Sequence, residues 1–470
     1  MPRELPLELW GIVFSYLHSM DWEPTRELPL PDKDDLAACT LVSRMWSAVA
    51  RPHLFRDITY SFRPVPEDVT PNDQGDYCDT LEKYECLDPA RDESRFKTFP
   101  MFFNFVSSSP VAQNSIRRLR LDGWPSTDEE EGTDYYPTLD AEPFVALLQM
   151  LPRLCVLHLF LINVVHPPAR NAPMAHPSLR RLYISSVSNT DGFQREWEDV
   201  EPANILDCFV GLEELQLDLP NEPSYKAEAH EDWPAMQIGR LILGDSPCLS
   251  DGLHKYLLDV RRVESVPIVD IDRLYPETDI DLIGDLGCEE LRLRVPNLVE
   301  DYEEPEPLSL SCFEQLERLV FKLSAPLIGR TQPDPHAFEV SLFSQFVHHI
   351  HLLESDLPGL VEVTIHLQGL RVPSTPRRIP KGVQIKPPLS GLEDELQEFD
   401  TVLTDIADTF GLQDITFSVN GTDPSIISTE DLEDLIRLWC PQLAEKKGYT
   451  IIRTNEGDDF YKCYTDHFLA

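Results

Sequence analysis

Leu212–Leu217 reads LEELQL, and this short stretch decides the fold because its pattern returns: apolar, two variable residues, apolar, one variable residue, apolar. The same order appears in Ile116–Leu121 (IRRLRL), Leu154–Leu159 (LCVLHL), Leu179–Ile184 (LRRLYI) and Ile238–Leu243 (IGRLIL). It appears again in Cys288–Leu293 (CEELRL), Leu316–Phe321 (LERLVF), Leu360–Ile365 (LVEVTI) and Leu412–Phe417 (LQDITF). The last two apolar positions alternate with variable ones, as in a strand with one buried side. The first apolar position leads into the strand from a turn.

Apolar residues at helical spacing precede several copies. Phe144, Leu147, Leu148 and Leu151 stand before the second, and Ile205, Leu206, Phe209 and Val210 before the fourth. Phe338, Leu342, Phe343, Phe346, Val347 and Ile350 stand before the eighth, and Leu396, Phe399, Leu403, Ile406 and Phe410 before the ninth. Helix, turn and strand in alternation resemble the leucine-rich repeat array. That resemblance implies an α/β solenoid in which each unit covers its neighbour's apolar edge along a parallel concave sheet. Two departures mark the array as degenerate. Its spacing runs from the mid-twenties to about fifty residues, and the Asn that usually follows the strand is missing. An ordinary two-layer α/β domain is the alternative.

The first sixty residues read differently. Leu5, Leu9, Ile12, Val13, Tyr16 and Leu17 fall at three- and four-residue steps and predict a short helix. Leu36, Cys39, Thr40, Val42, Trp46 and Val49 predict a second. So small a module has more large apolar groups than it can hide, which leaves part of its surface to dock elsewhere. LPLELWGIVFSYL and DLAACTLVSRMWSAVARPHLF together resemble the F-box, over roughly residues 3–57. The insert at 21–34 is longer than the family's usual loop. The combination is similar to F-box proteins of fungal type with poorly regular repeats. The expected organisation is an F-box at 1–60, an acidic and proline-rich linker at 61–100, and the array at 101–470. Inserted loops are acidic at 126–134 and basic at 371–389.

Composition narrows the function. The chain of 470 residues carries 40 Lys and Arg against 82 Asp and Glu, a net charge of −42. Phosphate backbones repel such a chain, which argues against nucleic acid as a partner. No run approaches the ~20 apolar residues of a membrane helix, and the start of the chain lacks a secretory signal. Ten scattered cysteines without a CxxC pair fit reduced thiols in cytoplasm or nucleus. Cys155, Cys208 and Cys288 occupy apolar positions and read as small core residues. His348, His349 and His351 cluster on an expected helix whose apolar face is already in use, with no cysteine nearby to complete a metal site. Glycine-rich phosphate loops, GxSxG and HExxH are missing. The chain therefore reads as no enzyme, with no catalytic residues, cofactor or metal.

Strand alternation names a candidate recognition face. If the leucines point inward, the intervening residues point out. Arg118, Arg120, Arg181 and Tyr183 then share one side, with Arg240 further along. Over the nine strands this face carries eight bases and six acids, far more basic than the whole chain. Arginine binds carboxylate and phosphate with two parallel bonds, so the face suits an acidic or phosphorylated segment.

The F-box resemblance implies a substrate-receptor subunit of a Skp–cullin–RING ubiquitin ligase. Leu5, Pro6, Leu7, Leu9, Ile12, Val13, Leu36, Cys39, Val42 and Trp46 match the family positions that pack the module or meet the Skp-type adaptor. Cullin would be reached through that adaptor, and an unidentified target protein would sit on the array. The alternative is a scaffold that uses the same surfaces without directing ubiquitin transfer.

Overall fold

The computed structural model describes residues 10, 13–14, 33–62, 98–123, 126–127, 134–135, 138–160, 162–165, 176, 178–185, 202–218, 234–244, 251–271, 283–294, 310, 312–324, 357, 359–368, 393–420, 429–446 and 448–454. The protein divides into two compact units. One holds Met1–Gly239, Ser250–Glu264 and Cys463–Ala470, and the other Arg240–Leu249 and Ser265–Lys462. Among the described residues both are built on parallel strands, twelve of which follow one another in chain order. This is an α/β architecture.

The first unit contributes β1 (Asp57–Phe62), β2 (Arg118–Gly123), β3 (Val156–Phe160), β4 (Arg181–Ser185) and β5 (Glu214–Asp218). The second contributes β6 (Arg240–Leu243), β7 (Ile268–Ile271), β8 (Glu290–Arg294), β9 (Arg318–Ser324), β10 (Glu362–Gln368), β11 (Asp414–Asn420) and β12 (Thr450–Thr454). Each of the nine repeated patterns ends in one of these strands.

Register explains why the pattern repeats. Ile58, Leu119, Leu157, Leu182 and Leu215 are paired in sequence across the first unit. Leu241, Val269, Leu291, Leu319, Val363 and Ile415 do the same in the second. The next apolar position forms a second column two residues on, from Leu243 and Ile271 through Leu293, Phe321, Ile365 and Phe417 to Ile451. The leading apolar residues, among them Ile116, Leu154, Ile238, Val266, Cys288 and Leu316, are buried just before the strands. Turn amides extend the ladder one step upstream: Cys155 N donates to Arg117 O, Arg180 N to Cys155 O, and Glu317 N to Glu289 O.

In the N-terminal module Trp10, Val13 and Phe14 are helical. The single helix expected over residues 36–49 is two, α1 (Asp34–Val42) and α2 (Arg44–Leu54). Ser43 divides them. Its backbone is extended, and its hydroxyl accepts from Trp46 N at 3.2 Å, so it stops α1 and caps α2. The chain passes from α2 almost directly into β1. The boundary expected at residue 60 therefore cuts through a strand, and the one at 100 cuts through α3 (Phe99–Ser108). Most of the expected linker lies outside the described residues, as do the acidic residues 128–133 and the basic segment 371–389.

Short helices follow: α4 (Pro110–Ser115), α5 (Ala141–Gln149), α6 (Pro202–Leu206) and α7 (Asp251–Lys255), the last continuing as a π-helical turn over Tyr256–Val260. Buried Arg261 closes α6. Its guanidinium donates to Leu206 O at 2.6 Å, Phe209 O at 2.5 Å and Asp207 Oδ1 at 3.3 Å, covering the carbonyls that the helix end leaves open. Tyr256 donates to the same Asp207 oxygen at 2.6 Å. In the second unit α8 (Glu393–Thr409) ends at Gly411, whose positive φ suits a glycine, and α9 (Thr429–Trp439) and α10 (Pro441–Lys446) follow. Asp400 on α8 accepts from Gln442 N and Leu443 N at 2.8 and 3.0 Å and caps α10. The helix expected over 338–350 lies outside the described residues.

His176 clasps α5 to the turn before β4. Nε2 lies 3.1 Å from both Leu148 O and Leu151 O, while Nδ1 accepts from Leu179 N at 3.0 Å and Ser178 N at 3.3 Å. Only the neutral ring with its proton on Nε2 satisfies all four contacts. Burial lowers its pKa, and the two carbonyls oppose that shift. A lowered folded value means that the clasp is complete above the unfolded pKa of about 6.5 and is lost as pH falls toward the folded one. Thermal melts at pH 7.5 and pH 5 should therefore show a larger acid loss for the native chain than for His176→Gln. Equal losses would remove the clasp from the account.

Candidate functional site

Among the described residues the N-terminal module has a small core. Phe14, Leu36 and Ala50 are buried, with Trp10, Cys39, Trp46, Val49 and Leu54 packed around them. Three aromatic rings hold the first helical residues in place: Trp10–Trp46 at 4.6 Å, Phe14–Trp46 at 5.6 Å and Trp10–Phe14 at 5.9 Å between centroids. Of the adaptor positions read from sequence, Leu36, Cys39 and Trp46 belong to this cluster, whereas Val13 and Val42 are exposed. Leu41, which is not among those adaptor positions, is 87% exposed, and Val42 is 62% exposed. Met45 joins them at the same corner between α1 and α2. Leu5, Pro6, Leu7, Leu9 and Ile12 lie outside the described residues.

Lys33 ties this module to the sheet. Its ammonium donates to Leu54 O at 3.1 Å, at the end of α2, and to Asp57 O, at the start of β1. Burial lowers its pKa, with the Asp57 carboxylate pulling the other way.

The outward face predicted from strand alternation is not open. Arg120, Tyr183, Gln216, Glu214 and Arg240 are all buried. These positions are enclosed, so their polar groups must find partners within the fold. Tyr183 donates to Glu214 Oε1 at 2.7 Å, and Arg181 reaches the same oxygen at 3.9 Å. Arg118 lies 3.7 Å from Asp57, and Arg120 lies 3.4 Å from Asp122 with its guanidinium carbon 5.0 Å from the centre of the Phe160 ring. The His158 ring stands edge-on to Tyr183 at 5.9 Å. The structure thus places Arg118 and Arg120 on β2 and Arg181 and Tyr183 on β4, on either side of β3, and gives each an internal partner. Arg118 and Arg181 alone of these four remain partly exposed.

The fifth candidate, Arg240, belongs to the second unit. There Asp270 is fully buried, and Arg240 donates to its Oδ2 at 2.6 Å while Lys322 donates to Oδ1. Burial alone would drive this carboxyl's pKa up. Lys322, Arg240 and Arg292 outweigh burial and hold it below the usual carboxylate range. Glu290 takes Arg292 on one oxygen and Arg318, at 3.0 Å, on the other. Sequence reading missed this centre because Asp270 lies on a strand it did not recognise. Asp57, partner to Arg118, was missed for the same reason. With these two acids counted, the face carries eight bases and eight acids, and the apparent basic excess disappears.

Among the described residues no group of three or more His, Cys, Asp or Glu could hold a metal ion, and no helix is long and apolar enough to cross a membrane. His348, His349 and His351 lie outside the described residues. Burial drives the Cys208 and Cys288 thiols up to about 12, in keeping with packed rather than reactive groups. No protein-family model matches this chain, and no curated protein matches it either.

The Asp270 centre makes a sharp prediction. Asp270→Asn takes the buried counter-charge from Arg240 and Lys322, and should cost about 3–5 kcal/mol in urea melts. Asp122→Asn removes a half-open partner and should cost no more than about 1 kcal/mol. Comparable losses would show that the buried cluster carries no special weight.

Proposed function

We propose that the chain is the substrate-receptor subunit of a Skp–cullin–RING ubiquitin ligase, docking on a Skp-type adaptor through its N-terminal helices. One observation carries the reading. Leu41, Val42 and Met45 are large, apolar and exposed together at the corner between α1 and α2, and Val13 is exposed as well. A solvated cluster of that kind is costly unless a partner covers it. The resemblance to the F-box motif in LPLELWGIVFSYL and DLAACTLVSRMW supports the nature of that partner.

In this reading the receptor forms and breaks no covalent bond. Holding a target beside a charged conjugating enzyme raises the effective concentration of its lysines, which turns a bimolecular encounter into a local one. The sheet-bearing units hold the target. Arg118 and Arg181, partly exposed and loosely paired, are better placed to meet an acidic segment than Arg120, Tyr183 or Arg240. The second reading, a scaffold that does not direct ubiquitin transfer, shares the same surfaces. It predicts adaptor capture without co-purifying cullin.

Two exposed substitutions test the docking. Leu41→Glu with Val42→Glu should leave the melting temperature unchanged and weaken adaptor binding by about 30-fold or more. Undiminished binding by a folded double variant would sink the assignment.

A further inference from the structure

Residues 98–116 contain no charged side chain, in a chain where 26% of residues are charged. They form α3 and α4, joined at a tight corner where Gln113 Nε2 donates to Val106 O and Ser107 O. One side of α3 is fully used: Phe99, Phe102 and Val106 are buried, and the Phe102 ring lies 4.6 Å from Tyr60 on β1. The other side is open. Met101 is 44% exposed, and Phe105, one turn on, and Val111 on α4 are exposed as well. An uncharged surface rich in Met and Phe has the composition of an interface core, where charged residues are depleted and aromatic residues and Met enriched.

The position of this surface points to its occupant. Phe105 meets Phe55 at 5.7 Å, and Phe55 is the residue that ends α2. Leu41, Val42 and Met45 stand at the opposite end of the same helix. With eleven residues, α2 is about 16 Å long. A standard interface covers about 800 Å² on each partner, a disc about 30 Å across. One partner can therefore span both ends. We infer that the adaptor-docking surface does not stop at the three-helix module but continues over α3 and α4, so that the Skp-type adaptor grips the module and the first helices of the array together. This inference rests on the docking reading above.

The test uses the full chain and a purified Skp-type adaptor. Met101→Glu with Val111→Glu is the working variant, because both sites tolerate the change. Thr98 caps α3 through Met101 N, so a glutamate at 101 completes a capping box. Position 111 lies in the first turn of α4, where a carboxylate is favoured. The expected result is an unchanged melting temperature with adaptor affinity reduced about tenfold. In the native complex, amide exchange should slow across residues 99–115. Full affinity together with unprotected amides, while Leu41→Glu with Val42→Glu still abolishes binding, overturns the extended surface and leaves the docking reading standing. Loss in neither variant removes both. Concentration-dependent self-association of the free chain that Met101→Glu with Val111→Glu abolishes, adaptor binding being intact, assigns the surface to a second copy and overturns the inference.

Discussion

Parallel strands held in register impose one constraint on everything else in this protein. Each side chain sits about 4.8 Å from its counterpart on the next strand. Whatever occupies a position is therefore tested against the same position one strand back and one strand on. Apolar columns satisfy the constraint by stacking like on like, as Leu119, Leu157, Leu182 and Leu215 do. Charged columns can satisfy it by alternating sign. Asp57 stands beside Arg118, Arg181 beside Glu214, and Arg318 between Glu290 and Glu362. Alternation matters most where the acid is buried, as at Asp57, Glu214 and Glu290, because a buried charge without a partner would cost several kcal/mol; elsewhere like charges stand side by side, Glu362 by Asp414 and Arg294 by Lys322.

The apolar columns were legible in the sequence because they require only the right spacing of large aliphatic residues. Three strands escaped. Val266–Ile271 (VPIVDI) and Phe55–Tyr60 (FRDITY) keep the spacing but hold no leucine at any of the three apolar positions. β12 lacks the leading apolar residue altogether, since Lys446 holds that place. The omission of VPIVDI also accounts for the apparent gap of about fifty residues between two repeats, which the strand divides into steps of ordinary length.

The candidate site was harder to read, for a physical reason. Alternation along a strand says which residues share a side, but not whether that side meets water. Arg120, Tyr183 and Gln216 occupy positions that a one-sided sheet would expose, yet all three are buried. Nor can alternation reveal pairing across strands when one partner's strand goes unrecognised, as with Asp57 and Asp270. In the N-terminal module the composition did announce an excess of apolar surface. It did not show that Ser43 would break the helix there and turn Leu41 and Val42 outward.

The alternating charge columns bear on how such an array can diverge. Reversal of Arg318 would set an anion between Glu290 and Glu362, and reversal of Glu290 would strand both Arg292 and Arg318. Reversal of the buried Glu290 is the costlier of the two, since Arg318 is half exposed, and coordinated changes on neighbouring strands restore the pattern. Lineages of this protein should thus drift by correlated exchanges along a column, several strands at a time. Partly exposed positions such as Arg118, Arg181 and Arg318 have looser ties and are freer to vary one by one.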